Sequence, residues 1–364
     1  MVVDLIAGAR PNFMKIAPII RAMDKSAIPG LLWRLVHTRQ HYDRNMSDSF
    51  FEELGIPQPQ VNLGAGGGTH AGQTARIKLG YEELPQASPC DLCLVVGDVT
   101  STMACAIVAK KANIQVAHVV GGIRSGDLSI PEEVNSLVTD SITDYFFTIS
   151  EVANANLRKA GVGEERLFFV GNTMIDTLLA NTLRFVRSII WETAELHQGE
   201  YLVITLHRPA NVNDPENLER LLREIIRSAD RLKMVFPVHP RTRQALDQIA
   251  LEEKNLILTD PLPYLSFNYL VQQARAVITD SGGITEETTV LGIPCMTLRT
   301  NTERPETVTI DTNELLGTDP GAIVPAMAHL LSGQWKKGQI PPLWDGHTAE
   351  RIVKILGELS RNRT

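Results

Sequence analysis

The segment Thr279-Asp280-Ser281-Gly282-Gly283-Ile284-Thr285-Glu286-Glu287-Thr288-Thr289 predicts a turn on two glycines between a strand and a helix. The apolar run Ala274–Ile278 precedes it, and a helical pattern follows it as far as Gly292. Such a turn points free backbone N–H groups and the positive end of a helix dipole at one spot, where a phosphate can bind. Ser281, Gly282 and Gly283 are therefore candidate phosphate ligands.

Glu287 lies one helical turn beyond Gly283, where its carboxylate can accept hydrogen bonds from both hydroxyls of a ribose. Together, the turn and Glu287 would form a grip for a sugar nucleotide. The same residues also fit an ordinary turn followed by exposed glutamates, because glycine-rich turns are common between strands and helices. This segment alone leaves both interpretations open.

The length and composition of the chain predict an ordinary globular protein with two cores. The chain has 364 residues, of which 43% are hydrophobic and 21% charged, and this length is about twice that of a typical domain. The net charge of -7 argues against a nucleic-acid partner. The apolar segments are strand-sized and far shorter than the roughly 20 residues that span a bilayer. We therefore expect no membrane partner and a cytoplasmic location.

The four cysteines predict reduced thiols and no metal site. Cys90 and Cys93 form a C-x-x-C pair, while Cys105 and Cys295 stand alone. A zinc site would need a second pair or a spaced set of histidines, and the sequence offers neither.

The first strand also leads into a turn suited to an anion. Val2–Ala7 reads as a buried strand, and an amphipathic helix follows as far as Met23. Arg10 and Lys15 place positive charge near the start of that helix, which favours a negatively charged ligand. Solvated surface charge is the alternative.

More polar side chains follow the other predicted strands of the first half, at the sheet edge where α/β proteins bind ligands. Gln40 and His41 follow Leu31–His37, Asp98 follows Asp91–Val96, Arg124 follows Gln115–Val120, Gln73 follows the glycine loop Gly64–Gly68, and Glu132 opens a helix. Asp98 also fits a helix cap and Glu132 a charge serving the helix dipole. The glycine loop fits a lid, a close backbone approach to substrate or a linker. The alternation of short strands and helices predicts a parallel sheet covered on both faces.

A second α/β unit follows a bridge. The bridge, residues 176–197, reads as one long helix between an N-terminal domain, 1–175, and a C-terminal domain, 198–345. A final helix, 347–361, is expected to cross back onto the N-terminal domain. In the second domain, His207 follows one strand, and His239 and Arg241 follow the next. Cationic groups at successive strand ends near Ser281 predict an anion-binding cleft.

At this point the chain resembles the non-hydrolysing UDP-N-acetylglucosamine 2-epimerases. The motifs that carry the resemblance occur in the family's order and include Gly8-Ala9-Arg10-Pro11, Gly97-Asp98, Pro131-Glu132-Glu133-Val134-Asn135, His207-Arg208, His239-Pro240-Arg241, Asp280-Ser281-Gly282-Gly283, Glu303-Arg304-Pro305-Glu306 and Trp344-Asp345-Gly346. The resemblance implies a glycosyltransferase-B-like α/β fold: two Rossmann-like domains whose parallel sheets face an interdomain cleft. It also implies a homodimer.

The resemblance implies a reaction as well. These enzymes invert C2 of a UDP-linked 2-acetamido sugar by eliminating UDP to a glycal and adding it back, and so supply sugars for cell-surface polysaccharides. No metal or cofactor is implied. Carried over by motif, the residues that would hold UDP are Arg10, His207, Ser281, Gly282, Gly283, Glu287 and Arg304. Lys15, Asp98, Glu132 and His207 would surround the sugar, with Asp98 and Glu132 as acid/base groups. Gln40, His41, Gln73, Arg124, His239 and Arg241 would complete the substrate contacts.

One departure from the family pattern bears on catalysis. Where the family reads His-Val-Glu-Ala-Gly-Leu-Arg, this chain reads His118-Val119-Val120-Gly121-Gly122-Ile123-Arg124. An acid/base group typically contributes about 10²–10⁴-fold to a rate, so the loss of this carboxylate is large enough to cripple epimerisation. Four functions stay open: an epimerase for UDP-N-acetylglucosamine, one for a UDP-2,3-diacetamido sugar, a hydrolysing variant that releases free N-acetylmannosamine, and a protein that only binds UDP-sugars. Asp127 is a candidate replacement for the missing group.

Overall fold

The computed structural model describes residues 1–39, 51–249, 251 and 253–362, which form two compact units. The N-terminal unit comprises Met1–Ala180 together with Pro342–Thr364, and the C-terminal unit comprises Asn181–Pro341. The candidates Gln40 and His41 lie outside the described residues, and so does the side chain of Arg241.

The N-terminal unit is built on a parallel sheet. Its strands are β1 (Val2–Ala7), β2 (Leu32–His37), β3 (Val61–Asn62), β4 (Leu92–Val96), β5 (Gln115–Val119), β6 (Tyr145–Thr148) and β7 (Leu167–Phe169). They are ordered β3-β2-β1-β4-β5-β6-β7, and every pairing is parallel. The chain direction across the sheet reverses between β1 and β4. A reversal of this kind opens the crevice where doubly wound folds bind ligands.

Helices connect the strands of this unit. They are α1 (Arg10–Ser26), α2 (His70–Ala87), α3 (Thr100–Lys111), α4 (Pro131–Ile142), α5 (Glu151–Lys159) and α6 (Thr173–Asn181), followed much later by a C-terminal helix. Pro18 lies inside α1 and has no N–H to donate to the Met14 carbonyl. The Thr177 hydroxyl on α6 donates to that carbonyl instead, at 2.5 Å. The proline is therefore accommodated by a contact from distant sequence.

The C-terminal segment returns to the N-terminal unit. The buried Trp344 donates its indole N–H to the Ile149 carbonyl at 3.1 Å. Asp176 accepts hydrogen bonds from the backbone N–H groups of Thr348 and Ala349, at 3.1 and 2.7 Å, where the last helix begins. A carboxylate at this place satisfies N–H groups that a helix start leaves without partners.

The C-terminal unit repeats the architecture. Its strands are β8 (Tyr201–Thr205), β9 (Lys233–Pro237), β10 (Leu256–Thr259), β11 (Ala276–Thr279), β12 (Cys295–Thr297) and β13 (Asn313–Leu315), in the parallel order β10-β9-β8-β11-β12-β13. The direction reverses here between β8 and β11. Both strand orders are those of the Rossmann fold, which confirms the predicted glycosyltransferase-B-like α/β class.

The remaining helices lie around the second sheet, except the last, which belongs to the N-terminal unit. They are α7 (Ile189–Thr193), α8 (Pro209–Val212), α9 (Pro215–Ser228), α10 (Pro240–Leu246), α11 (Tyr264–Gln273), α12 (Gly282–Leu291), α13 (Pro305–Thr309), α14 (Ile323–Leu331) and α15 (Thr348–Arg361). Their apolar side chains bury both faces of the sheet in two clusters. Within the described ranges, no helix combines the length and the apolar character needed to cross a membrane.

The prediction of one long helix through the bridge is wrong. Helix α6 ends at Asn181, a 3-10 turn follows at Thr182–Arg184, and the five-residue α7 begins at Ile189. Trp191 on α7 packs edge-on against Tyr201 and Tyr269, with ring centroids 5.7 and 5.3 Å away. The apolar spacing that suggests a continuous helix therefore serves packing onto the second sheet.

Candidate active site

Asn12 organises the turn after β1. Its Oδ1 accepts hydrogen bonds from the backbone N–H groups of Gly8 and Ala9, at 3.1 and 3.0 Å, and its Nδ2 donates to the Val96 carbonyl at 2.9 Å. The ends of β1 and β4 are thereby joined at the point where the sheet direction reverses. Arg10 begins α1 directly after this turn, with its side chain exposed. Sequence reasoning missed the role of Asn12, although a polar residue in the Arg-Pro-Asn motif was a visible signal.

Lys15, a predicted catalytic residue, approaches the end of β4 directly before Asp98, another predicted catalytic residue. Lys15 is buried, and its Nζ lies 3.2 Å from the position that a Cβ would occupy on Gly97. Gly97 has φ +67°, a conformation that favours glycine, and it presents the half-buried Asp98 that follows it. The N-cap of α3 is Val99. The alternative role of Asp98 as that helix cap therefore loses its support.

The two neighbouring glutamates at the start of helix α4, Glu132 and Glu133, lie in different environments. The buried Glu133 carboxylate accepts from the Ser125 N–H at 2.7 Å and from the Ser125 hydroxyl at 2.8 Å, which anchors the loop before the helix. Glu132 is exposed. Asn135, one turn further on, donates to the Asp98 carbonyl at 2.9 Å. The helix that carries Glu132 is therefore tied to the turn that carries Asp98.

A buried ion network lies behind these residues. Nδ1 of His118 is 2.6 Å from Asp140 Oδ1, and Nε2 is 2.8 Å from the Gly97 carbonyl oxygen. Asp140 also pairs with Arg124 at 2.7 Å. Although burial opposes ionisation of Asp140, His118 and Arg124 hold the pKa of its carboxyl below the ordinary value. Both ring nitrogens of His118 thus lie within hydrogen-bond distance of oxygen atoms, which fixes the ring between Asp140 and the end of β4.

Arg124 makes structural contacts within this network. Its guanidinium binds Asp140 and the Ile123 carbonyl, the latter at 2.7 Å. Arg124 therefore fixes the loop after β5, and its contact with substrate stays a prediction. Gln73, a further candidate, lies half-buried on α2, which begins after the glycine loop with Thr69 as its N-cap.

Val120 occupies a strained place at the end of β5. It has φ +69°, and its side chain is only 5% exposed. A β-branched residue is a genuine outlier in the left-handed region, at a cost of about 1–2 kcal/mol. Its backbone N–H donates to the Phe147 carbonyl at 2.9 Å, which holds the chain in this conformation. Backbone strain of this kind clusters at functional sites.

Asp127, the candidate replacement for the missing carboxylate, is engaged elsewhere. Its Oδ1 accepts from the Ser129 hydroxyl at 2.6 Å and from the Ser129 N–H at 2.9 Å. These hydrogen bonds lower the pKa of the half-buried Asp127 carboxyl. A carboxyl with a lowered pKa is a poor proton donor near neutral pH.

In the C-terminal unit, Asp280 joins the ends of β11 and β8. Its buried carboxylate accepts from the backbone N–H groups of His207 and Arg208, at 3.1 and 2.9 Å, and from Asn211 Nδ2 at 3.0 Å. His207 Nδ1 lies 3.0 Å from Asp280 Oδ1, which leaves Nε2 for other partners. Burial opposes ionisation, but the bonds from His207 and its neighbours lower the pKa of Asp280. The pair orients His207, whose side chain is 43% exposed.

Other predicted residues gather around His207. The rings of His207 and His239, which follow neighbouring strands, have centroids 6.2 Å apart. Ser281 is the N-cap of α12, and its backbone N–H donates to Thr279 Oγ1 at 3.0 Å. Gly282 and Gly283 open that helix, and Glu287 is buried one turn further on. Arg241 lies in α10, after His239.

Arg304 lies in a group of charges that sequence reasoning foresaw only in part. Arg304 Nε forms an ion pair with Glu286 of α12. Arg299, which was not predicted, is buried at the end of β12 and donates to Glu303 Oε2 at 2.8 Å. A Cβ on Gly282 would lie 3.6 Å from Arg299 Nη1, so this arginine lines the glycine turn. Its position at a strand end was the available signal.

Two doubly wound Rossmann-like units of this kind, one with a Ser-Gly-Gly turn at its switch point, define a glycosyltransferase-B-like protein. The family model described as UDP-N-acetylglucosamine 2-epimerase matches residues 24–357. The chain belongs to this family.

Relatives match along almost their whole length. The UDP-N-acetylglucosamine 2-epimerase of Methanocaldococcus jannaschii is 38% identical, with 98% of this chain and 99% of the relative covered. The UDP-2,3-diacetamido-2,3-dideoxy-D-glucuronate 2-epimerase of Pseudomonas aeruginosa is 34% identical, with 97% and 99% covered. A crystal structure of the M. jannaschii enzyme in complex with UDP-GlcNAc and UDP superposes with a TM-score of 0.87 at 37% identity, covering 98% of this chain and all of that one.

The Asp280 carboxylate gives a first prediction. In Asp280→Asn, the amide would present a donor to groups that are donors themselves, so we expect the free energy of unfolding to fall by about 1–3 kcal/mol. Because the pKa of Asp280 is lowered in the folded protein, the wild-type advantage should hold at neutral pH and disappear as pH falls through that lowered pKa. Denaturant unfolding at several pH values measures the difference in the free energy of unfolding between the wild type and Asp280→Asn.

Asp260→Asn is the matched control. Asp260 follows β10, the edge strand of the same sheet, but its side chain is 98% exposed, and Arg243 is 3.8 Å away. This variant should unfold like the wild type. Equal stability of Asp280→Asn and the wild type at neutral pH would contradict the proposed role of the carboxylate.

Proposed function

We propose that the protein interconverts UDP-N-acetylglucosamine and UDP-N-acetylmannosamine. The observation that most supports this proposal is the Gly97-Asp98 turn: Lys15 approaches Gly97, Asn135 ties the helix that carries Glu132 to the Asp98 carbonyl, and His118 contacts the Gly97 carbonyl. Carboxylates beside an ammonium group suit the removal of a weakly acidic proton from a sugar carbon. The family to which the chain belongs points the same way.

UDP is assigned to the C-terminal unit. Ser281, Gly282 and Gly283 offer backbone N–H groups at the start of α12 to the diphosphate, and Arg304 and His207 add positive or donor groups. Glu287 is assigned to the ribose hydroxyls, with Arg10, His239 and Arg241 as further contacts. The departing diphosphate needs such donors, because negative charge builds on its oxygen as the bond to the sugar breaks.

The chemistry is assigned to Asp98 and Glu132, with Lys15 and His207 beside the reacting groups. One carboxylate removes the proton from C2 while the C1–O bond breaks and UDP leaves, which yields the 2-acetamidoglucal. UDP then adds back to C1, and a proton is delivered to the other face of C2. Each proton transfer by a placed group contributes about 10²–10⁴-fold.

A modified sugar is the second candidate, and Val120 favours it. The valine places an apolar side chain where the family carries a carboxylate, so one proton transfer must use another group or another substrate. The P. aeruginosa relative acts on a diacetamido uronic acid. A carboxylate on the substrate itself would alter both the charge and the proton carriers available at C2.

Incubation with UDP-N-acetylglucosamine in deuterated water tests the proposal. NMR should show deuterium entering C2 and the appearance of UDP-N-acetylmannosamine, because the abstracted proton exchanges with solvent. Free N-acetylmannosamine would instead indicate hydrolysis. Tight binding of UDP without any deuterium at C2 would identify a binding protein and overturn the proposal. The diacetamido uronic acid substrate, tested in parallel, separates the two epimerase candidates.

Glu287→Ala serves as the control for nucleotide binding. The ribose loses an ionised acceptor worth about 1.5–3 kcal/mol, so calorimetry should show UDP bound roughly tenfold to a hundredfold more weakly. Exchange at C2 should persist at saturating substrate. An unchanged UDP affinity would remove Glu287 from the site.

Restoring the carboxylate tests the role of Val120. Val120→Glu should raise epimerisation of UDP-N-acetylglucosamine by at least about tenfold if a general acid or base is missing at this place. Burial of the new side chain costs about 1–3 kcal/mol, partly offset because an unbranched residue is less strained at φ +69°. Rates and melting temperatures measure both effects.

Val120→Gln is its matched control, since it has the same size and backbone preference but carries no transferable proton. It should share the change in stability and show no gain in rate. A folded Val120→Glu variant that binds UDP normally but is no faster than Val120→Gln would show that the native sugar or reaction differs.

We also infer a cytoplasmic homodimer. The four cysteines are all free thiols, which is the state that reducing compartments maintain. Leu128, Val134 and Leu137 expose apolar side chains on and before α4, and a second copy would cover them. Light scattering should give twice the chain mass, and Leu137→Asp should lower it. A monomeric wild type would exclude the dimer.

A further inference from the structure

Six charged side chains form a connected group in the C-terminal unit, and two of them, Arg299 and Glu303, line the glycine turn at Gly282. We call them the arginine–glutamate cluster: Arg208, Arg299, Arg304, Glu286, Glu303 and Glu306. Glu303 Oε2 accepts a hydrogen bond from Arg299 at 2.8 Å, and Glu303 Oε1 lies 3.9 Å from Arg208 Nη2. Arg304 pairs with Glu286. With every member ionised, three positive and three negative charges cancel, which leaves no excess charge to meet a diphosphate.

Glu306 is the exception within this cluster. It is 4% exposed, and among the described residues no other residue donates a hydrogen bond to either of its carboxylate oxygens. Its carboxylate interacts with the charges of Arg304, which favours ionisation, and of Glu286, which opposes it. An ionised carboxylate without donors is costly in such a place, and a protonated one costs far less.

Other charges near α13 act elsewhere. Lys336 donates to the Val308 carbonyl at 2.7 Å, and its ammonium interacts with Glu314 and Asp311. Burial opposes ionisation of Glu303, but the contacts with Arg299 and the charge of Arg304 outweigh it and lower the pKa of its carboxyl to about 2. Burial raises the pKa of Glu306 to about 7, against the charge of Arg304. The two carboxyls of one short segment therefore differ in how readily each takes up a proton near neutral pH.

We propose that Glu306 takes up a proton when UDP binds at the Ser281-Gly282-Gly283 turn, so that the positive charge of Arg304 is no longer offset by this carboxylate and can serve the diphosphate. This inference rests on the proposed function. The incoming diphosphate adds negative charge beside a cluster that is already neutral, and the least stabilised carboxylate is the one that solvent protons neutralise. Glu306 touches no reacting atom in this account; it is a positioning residue that acts through Arg304.

Calorimetry with UDP in buffers of different ionisation enthalpy measures this proton directly. At about pH 8, where UDP is itself fully ionised, the wild type should take up roughly 0.4 proton for each UDP bound if binding raises the pKa of Glu306 by about one unit. Its UDP dissociation constant should then rise up to about tenfold between pH 6 and 9. Difference infrared spectra should show a carboxylic acid band that appears with UDP.

Glu306→Gln should abolish the uptake and the infrared band while binding UDP, because the amide is a neutral isostere of the protonated side chain. Glu303→Gln is the matched control: Glu303 is ionised with or without UDP, so the uptake should remain. The raised pKa also means that wild-type stability declines as pH rises through about 7, so Glu306→Gln should melt higher than the wild type at alkaline pH.

The possible results distinguish failure of the role of Glu306 from failure of the proposed function. Binding of UDP to wild type and Glu306→Gln with the same proton uptake would overturn the role of Glu306 and leave the proposed function standing. Loss of the uptake in Glu303→Gln but not in Glu306→Gln would show that Glu303 takes up the proton. That result would overturn the role of Glu306. If neither protein binds UDP, both the proposed function and this inference fail.

Discussion

The buried carboxylate of Asp280 is the interaction on which the C-terminal site depends. Parallel strands place their carboxyl ends at one edge but leave the loops beyond them unpaired. Asp280 accepts hydrogen bonds from the backbone after β8 and from His207 itself, so one charged side chain fixes two loops and one candidate catalytic ring. Asn12 does the same for β1 and β4 in the N-terminal unit with a neutral amide. Both lie where the sheet direction reverses.

Buried charges of opposite sign are paired beside the candidate site residues of each unit. Behind Asp98, the His118 ring lies between Asp140 and the Gly97 carbonyl, and Arg124 completes the pairing. Beside the Ser281 turn, arginines and glutamates cancel one another. Buried ion pairs add little net stability, because desolvation offsets their attraction. Their effect here is to hold turns and guanidinium groups in place.

Val120 shows how a single position can separate fold from chemistry. The family's carboxylate is absent, yet the chain keeps the left-handed backbone there with a side chain poorly suited to it. The chain keeps this backbone conformation at a cost of about 1–2 kcal/mol, with the valine side chain buried. The backbone conformation is thus kept without the acid/base group that the family pattern carries at this place.

The sequence by itself determined the fold class, the strands that carry the site and most of its candidate residues. Short apolar runs followed by glycine, histidine or arginine are local signals, and the motifs near Asp98 and Ser281 are contiguous. It misled at the bridge, where the packing of Trp191 overrides helical spacing, and it missed Asn12, Arg299 and the isolation of Glu306. Only the tertiary structure decided these, because hydrogen-bond partners and burial depend on residues far apart in the chain.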